Sequence, residues 1–240
     1  MILQIKGMKK RIFGAGIVIS TLVIGLFAIN QISQTPNIDT SPRPCATVDH
    51  SLNEDNVRIF ENGCILEDFT LTASTGENLS LSDLQGKPVL LYFGYINCPD
   101  FCPTTLIDFM SIARNPGTQT DDLTFVFVSI DPRRDTPQAI GDYLNRYNPQ
   151  FVGLTGEEAQ LRTIGVDYGL EFEVHFDPEN PDAYYACDHT THTYLINQAG
   201  NLARIYGYGT TYLTLLDDVE EMLELTTAQF NLSEIDNLRD

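Results

Sequence analysis

The chain has 240 residues, of which 42% are hydrophobic and 20% are charged. This length suits one folded domain with an appendage and is too short for several independent domains. The composition excludes a largely disordered chain. The 33 acidic and 14 basic residues give a net charge of −19, which excludes a nucleic-acid-binding surface and favours cationic or basic partners.

The N-terminal region combines basic residues with an uncharged apolar stretch. Residues 1–11 contain four Lys or Arg side chains, and an apolar run begins at Ile12. We predict a transmembrane anchor over 12–32, because a spanning helix needs roughly 17 to 25 such residues. The basic cluster before the run predicts a cytoplasmic N-terminus and an extracytoplasmic body. The alternative is a cleaved signal peptide, whose apolar region is usually shorter and ends at small residues.

The rest of the chain divides by composition. Residues 31–56 are rich in Ser, Thr, Pro, Asn and Asp, and we assign 33–64 to a linker. The hydrophobic pattern of a folded domain covers 65–226, which leaves 227–240 as a C-terminal tail.

Strands and helices alternate in the first half of the predicted domain. Residues 88–93 and 123–130 are short apolar runs, which predict strands buried on both faces. Proline near Thr104 and Thr136 predicts that a helix begins at each of these positions. A capping box at 155–158 predicts a third helix.

The sequence pattern in the second half of the domain predicts a hairpin followed by a helix. Residues 193–196 and 202–206 suit strands joined by a turn at 199–201. Residues 212–223 suit an amphipathic helix with an acidic outer face. This order of elements predicts an α/β fold with helices on both faces of a mixed sheet, which is the order of a thioredoxin-like sandwich.

Cys98 and Cys102 lie between the first buried strand and the helix after it, where a thioredoxin-like sandwich carries its redox cysteines. Three residues separate them, one more than in the usual thiol-disulfide motif, which leaves room for an ion between the sulfurs. A helix N-terminus lowers the pKa of a thiol, and two thiolates form a soft site for Cu(I) or Zn. A plain disulfide is the alternative.

His189 is the candidate for a third ligand. It lies just before the predicted strand 193–196, and in a thioredoxin-like sheet that strand neighbours the one leading to the cysteine loop. The imidazole is therefore placed within reach of both sulfurs. From spacing alone, a surface or core histidine without a ligand role stays open.

Three ordered motifs strengthen this interpretation. They are Gly-Tyr-Ile-Asn-Cys-Pro-Asp-Phe-Cys-Pro at 94–103, Ser-Ile-Asp-Pro-Arg-Arg-Asp-Thr-Pro at 129–137, and Asp-His-Thr at 188–190 followed by Tyr194-Leu195. Together they resemble the Sco/SenC family of copper-binding proteins, which serve assembly of cytochrome c oxidase.

The resemblance implies a thioredoxin-like fold with an insertion before the histidine, for which 171–185 is the candidate. It also implies that Cys98, Cys102 and His189 bind copper, as Cu(I), Cu(II) or both, and that the two cysteines form a redox-active disulfide. One departure from the family pattern is Gln198-Ala199-Gly200, where an Asp-Pro-x-Gly turn is expected.

Three further cysteines fall outside the motifs. Cys45 and Cys64 lie beyond the predicted membrane segment, where disulfides persist, and we hypothesise that they are linked. Cys187 is then the unpaired cysteine, either a small buried residue or a competitor for metal. Asp135 and Thr136 are expected to cap the helix that follows them rather than to bind metal.

The expected function is that of a membrane-anchored copper chaperone, not an enzyme, that loads the binuclear copper site of cytochrome c oxidase. Its expected partners are the copper-site subunit of the oxidase and a copper donor protein or thiol reductase. The reduced cysteines and neutral His189 would hold one copper ion, and oxidation of the pair to a disulfide would release it.

Two other functions stay open at this point. One is a thiol-disulfide oxidoreductase that reduces cysteines of the oxidase or of other extracytoplasmic proteins, and the other is a copper-responsive signalling module. His189 separates the chaperone from the reductase, since a pure reductase does not need it. The N-terminus lacks an Arg- and Ser-rich transit segment, which favours a bacterial cytoplasmic membrane over the mitochondrial inner membrane.

Overall fold

The computed structural model describes residues 42–116, 122–180 and 183–237, with side chains as far as residue 224. The anchor predicted over 12–32 and the basic residues before it lie outside these ranges. Within them, no helix combines the length and the apolar character needed to cross a membrane.

The described ranges contain ten strands and four α-helices. The strands are β1 (Val57–Ile65), β2 (Thr70–Ala73), β3 (Asn78–Ser80), β4 (Val89–Gly94), β5 (Thr124–Ser129), β6 (Val152–Thr155), β7 (Phe172–Val174), β8 (Cys187–His189), β9 (Thr193–Ile196) and β10 (Asn201–Tyr206). The helices are α1 (Phe101–Ala113), α2 (Pro137–Leu144), α3 (Glu158–Tyr168) and α4 (Tyr212–Asn237).

Eight strands form one mixed sheet in the order β1-β10-β9-β4-β5-β6-β2-β3. The strands β4, β5 and β6 are parallel to one another, and the other pairs in this sheet are antiparallel. The two predicted apolar runs form β4 and β5, and all of β4 is buried. Burial on both faces explains why neither run alternates between apolar and polar residues. Strands β7 and β8 form a separate antiparallel pair.

Helices cover both faces of the large sheet. Tyr143 of α2 contacts the ring of Phe127 in β5, and Tyr168 at the end of α3 contacts Phe93 in β4. Phe127 pairs with Tyr92, the neighbour of Phe93, and successive strand residues point to opposite faces. The two helices therefore lie on opposite sides, and the predicted α/β fold with a mixed sheet is confirmed.

The start of α1 differs from the prediction. The helix begins at Phe101 rather than Thr104, so that Cys102 lies in its first turn. Pro103 is tolerated there because the first N–H groups of a helix have no partner within it. The second cysteine is thus part of the helix and not of the loop before it.

The capping box predicted at 155–158 is wrong. Thr155 is the last residue of β6 and is buried, and the N-cap of α3 is Glu157, without a side-chain capping bond. Pairing and burial of the strand decide the conformation of Thr155, which the local motif alone does not reveal.

The folded domain begins before residue 65. Strand β1 pairs with β10 at the edge of the large sheet, and all but its last residue lies within the range 33–64 that the sequence assigns to a linker. Most β1 side chains are at least partly exposed, so the strand lacks a clear apolar pattern. A disulfide joins Cys45 to Cys64, which confirms that hypothesis and ties the preceding segment to β1.

Loss of the Cys45–Cys64 disulfide is expected to lower the free energy of unfolding by about 3 kcal/mol. The bond spans a sequence separation of 19 residues, and closing such a loop restricts the unfolded chain. Urea unfolding of a Cys45→Ala/Cys64→Ala double variant measures the loss. Cys187→Ala is the control, since it removes a buried but free thiol. An equal loss in both variants would contradict an effect of the bond.

The predicted hairpin and C-terminal helix are both formed, but the helix is longer than predicted. The turn after β9 is formed, with Gly200 at φ +83° and its N–H donating to the Asn197 carbonyl at 2.9 Å. The departure from the family's turn sequence therefore leaves the turn intact. Helix α4 runs to Asn237, past the domain boundary expected at residue 226.

Candidate metal centre

The loop with the cysteines connects the buried strand β4 to α1. Gly94 ends the strand, and a Cβ atom there would lie 2.8 Å from Cys102 Sγ and 3.0 Å from the Phe127 ring. Any other residue would displace the sulfur or the ring, so the close approach requires glycine. The Cys102 N–H donates to Cys98 Sγ at 3.4 Å, which holds the first sulfur at the N-terminus of the helix.

His189 reaches this loop from the small β7–β8 sheet. It is the last residue of β8, and the strand after it, β9, pairs with β4 as predicted. Its Nε2 atom lies 3.8 Å from Cys102 Sγ. Its Nδ1 atom lies 2.9 Å from the Thr190 carbonyl oxygen, which can only accept a hydrogen bond. Nδ1 therefore carries the proton, and the lone pair of Nε2 is free to bind a metal.

The structure brings the three predicted site residues together. The sulfurs of Cys98 and Cys102 and a ring nitrogen of His189 all lie within 4.8 Å of one another. Both cysteines are free thiols and buried, and the histidine is half-buried. Two sulfurs and one imidazole nitrogen suit a soft ion such as Cu(I), or Zn. In the described part of the chain this is the one such group of His, Cys, Asp or Glu.

The pKa values of the two cysteines are shifted in opposite directions. The contact with the Cys102 side chain lowers the pKa of Cys98 to about 3, although burial opposes this. The contact with Cys98, together with burial, raises the pKa of Cys102 far above its usual value. At neutral pH the pair therefore holds one thiolate, on Cys98, and one thiol, on Cys102.

Cys98 is expected to react with iodoacetamide at about pH 5, where an ordinary thiol is almost entirely protonated. Because its pKa is lowered to about 3, its reactive thiolate is lost only as the pH falls towards that value. Mass spectrometry after brief alkylation should find Cys98 modified and Cys102 unmodified, and the urea-unfolded protein is the control. Equal modification of both cysteines in the folded protein would contradict the assignment.

The second sequence motif supports the cysteine loop. A carboxylate oxygen of Asp135 accepts hydrogen bonds from the Ile96 N–H at 2.9 Å and the Ser129 hydroxyl at 2.6 Å. Burial raises the pKa of this carboxyl to about 6. The prediction that Asp135 caps the following helix is therefore wrong. Thr136 does cap α2, accepting from the Ala139 N–H, so that part is confirmed.

Arg134 connects the same motif to the segment that carries the histidine. We call residues 171–180 and 183–189 the histidine arm. The guanidinium pairs with the buried Asp131, donates to the Tyr185 carbonyl at 2.8 Å and lies 3.8 Å from Cys187 Sγ. The Tyr185 hydroxyl also donates to Asp131, at 2.8 Å. These contacts hold the arm two and four residues before His189.

This role of Arg134 cannot be read from the sequence. From the sequence alone, 171–185 is only a candidate insertion, and the motif at 129–137 is only part of the family resemblance. The spacing of Asp131 and Arg134, three residues apart, was the one available signal, and it does not reveal a contact with the arm.

Cys187 does not join the metal-binding group. It is free, as predicted, and buried, and burial raises the pKa of its thiol to about 12. The residue is therefore a neutral thiol at physiological pH, in contact with Arg134.

Comparisons with known proteins agree with this geometry. The model of the SCO1/SenC family matches residues 60–224. An SCO2-like protein of Rickettsia conorii is 36% identical over 185 residues, which are 77% of this chain and 84% of that protein. Arabidopsis thaliana ScoI, solved with copper bound, has a TM-score of 0.59 at 30% identity, and the match covers 68% of this chain and 99% of that one.

A second solved structure, Bradyrhizobium japonicum ScoI with copper bound, has a TM-score of 0.59 at 31% identity over 66% of this chain and 99% of that one. The range matched by the family model contains all three sequence motifs and the complete cysteine and histidine group. This chain belongs to the SCO1/SenC family.

Proposed function

We propose that this protein binds one copper ion through Cys98, Cys102 and His189 and delivers it to the binuclear copper site of cytochrome c oxidase. The observation that carries this proposal is the convergence of two sulfurs and one imidazole nitrogen within 4.8 Å. The two ScoI structures with bound copper support copper as the ion. In this role copper is cargo, so the protein acts as a metallochaperone and not as an enzyme.

The protonation of the site suits reversible binding. The Cys98 thiolate is a ready ligand at neutral pH, and Cys102 loses its proton when the ion binds. Affinity for copper therefore falls in acid. If Cys98 and Cys102 pass two electrons to a disulfide of a partner protein, that disulfide is reduced and a bond forms between the sulfurs of Cys98 and Cys102. Both sulfur ligands are then lost and the copper ion is released.

The site is proposed to face the extracytoplasmic side of a bacterial membrane, with residues 12–32 as the anchor. The disulfide between Cys45 and Cys64 supports this placement, because disulfides persist mainly outside the cytoplasm. The proposed partners are the copper-site subunit of the oxidase and a copper donor or thiol reductase that restores the reduced pair.

A second candidate function is thiol-disulfide exchange. The thiolate on Cys98 beside the free thiol of Cys102 favours it, because the thiolate attacks a disulfide and a neighbouring thiol resolves the mixed disulfide. This reaction uses the same cysteines but leaves His189 without a role.

Complementation separates the two functions. In a strain that lacks this protein, the His189→Ala variant is expected not to restore the copper content of the oxidase, although both thiols remain. His175→Ala is the matched control, since His175 is an exposed histidine of the same arm that pairs with Asp188 at 2.7 Å. A His189→Ala protein that retains no copper yet supports normal oxidase assembly would overturn the chaperone function and favour the reductase.

A further inference from the structure

A cleft of about 330 Å³ lies beside the metal centre. Thr105 and Asp108 of α1 line it, one and two helical turns after Cys102. Thr193 lines it from β9, four residues after His189, and the loop before α4 closes the remaining side. The helix that carries Cys102 and the strand that follows His189 therefore both border the cleft.

The rim of the cleft is aromatic and exposed. Phe101, which lies between the two cysteines in sequence, is 41% exposed, and its ring meets that of Tyr208 edge-on at 4.6 Å. Tyr208 and Tyr212 are 46% and 41% exposed. Exposed aromatic side chains grouped around a depression are typical of a surface that another protein covers.

An acidic side chain without a described partner lines the cleft. Asp108 is half-buried and has no hydrogen bond or ion pair with any described residue. Burial alone raises the pKa of its carboxyl. None of the described residues that line the cleft is basic. A partly buried carboxylate without a partner is costly, and a cation from outside would relieve that cost.

We propose that this cleft docks the protein that receives copper, by accepting a lysine or arginine side chain of that protein against Asp108. Phe101, Tyr208 and Tyr212 then cover the apolar surface around the cation, and each ring can also stack on it. The net charge of −19 attracts a basic protein surface and repels anionic lipid. This inference rests on the proposed delivery of copper.

Transfer kinetics test the inference. The full-length protein, loaded with one equivalent of Cu(I), is mixed with the apo copper-site domain of the oxidase from the same organism. The Asp108→Asn variant is expected to transfer copper about tenfold more slowly, as for loss of one docking charge pair, and Tyr208→Ala also more slowly. Both variants are expected to retain copper as tightly as the wild type, because neither residue is a ligand.

Glu77→Gln is the matched control. It removes the same charge from the exposed turn between β2 and β3, at the far edge of the sheet. If Glu77→Gln and Asp108→Asn slow copper transfer equally, the slowing is caused by the change in net charge, and the docking site is wrong. Unchanged transfer in Asp108→Asn would overturn it and leave copper delivery standing. Self-association through the cleft, seen as a dimer that Tyr208→Ala abolishes, would assign it to a second copy instead.

A wild-type protein that retains copper but transfers none to the apo domain would overturn the proposed delivery, and the docking inference with it. These results are distinct, because retention, transfer by the wild type and transfer by the variants are measured separately.

Discussion

Replacing His189 with alanine is expected to lower the affinity for Cu(I) by more than the roughly 10- to 100-fold that loss of an outer-shell partner costs. The variant removes one of three convergent ligand atoms and leaves both sulfurs in place. Competition with a chromophoric Cu(I) chelator measures the affinity. With Cu(II), the thiolate charge-transfer absorption of the wild type should shift or disappear, because the ligand set has changed.

His175→Ala provides the matched comparison for this experiment. Both histidines belong to the histidine arm, but the side chain of His175 is 51% exposed and pairs with Asp188, away from the sulfurs. We expect the wild-type affinity in this control. An affinity for copper that is equally high in His189→Ala would show that the two cysteines suffice, and the three-ligand site would be wrong.

Replacing Arg134 with glutamine is expected to destabilise the protein and to weaken copper binding, although Arg134 is not a ligand. The change leaves Asp131, which is fully buried, without its cationic partner, and breaking such a pair costs about 3 to 5 kcal/mol. It also removes the hydrogen bond to the Tyr185 carbonyl. Since these contacts anchor the histidine arm, His189 loses its fixed position beside the sulfurs.

Arg133→Gln is the control for this variant. Arg133 is the adjacent residue in sequence, and its guanidinium lies 4.5 Å from the centre of the Phe176 ring, so its loss removes one partly exposed contact with the arm. We expect a small effect on the free energy of unfolding, measured in urea, and almost none on copper affinity.

A positioning role also predicts effects that general destabilisation does not produce. Hydrogen exchange in the Arg134→Gln variant should accelerate in the histidine arm under conditions where β4 and β5 remain protected. Arg134→Lys keeps a cation near Asp131 and should recover part of the stability, but it lacks the planar fork that reaches Tyr185 and Cys187. Wild-type copper affinity in a destabilised Arg134→Gln protein would contradict the positioning role.

The parts of the fold that were predictable are those with a strong local pattern. Strand β4 and the centre of β5 are continuous apolar runs, and α2 begins with a Thr-Pro pair that forms a standard start. The errors fall where contacts distant in sequence decide. Strand β1 is held by its pairing with β10, and Thr155 extends as part of a buried strand although its neighbours resemble a helix start.

The three ordered motifs can be read from the sequence, and the family resemblance that they carry implies a copper site of two cysteines and one histidine. How those side chains are held depends on contacts between residues that are distant along the chain. Gly94 gives space to one sulfur, Asp135 fixes the loop, and Arg134 fixes the arm. The physical reason is that positions 98, 102 and 189 are distant along the chain, and only pairing of β9 with β4 and anchoring of the arm bring them together.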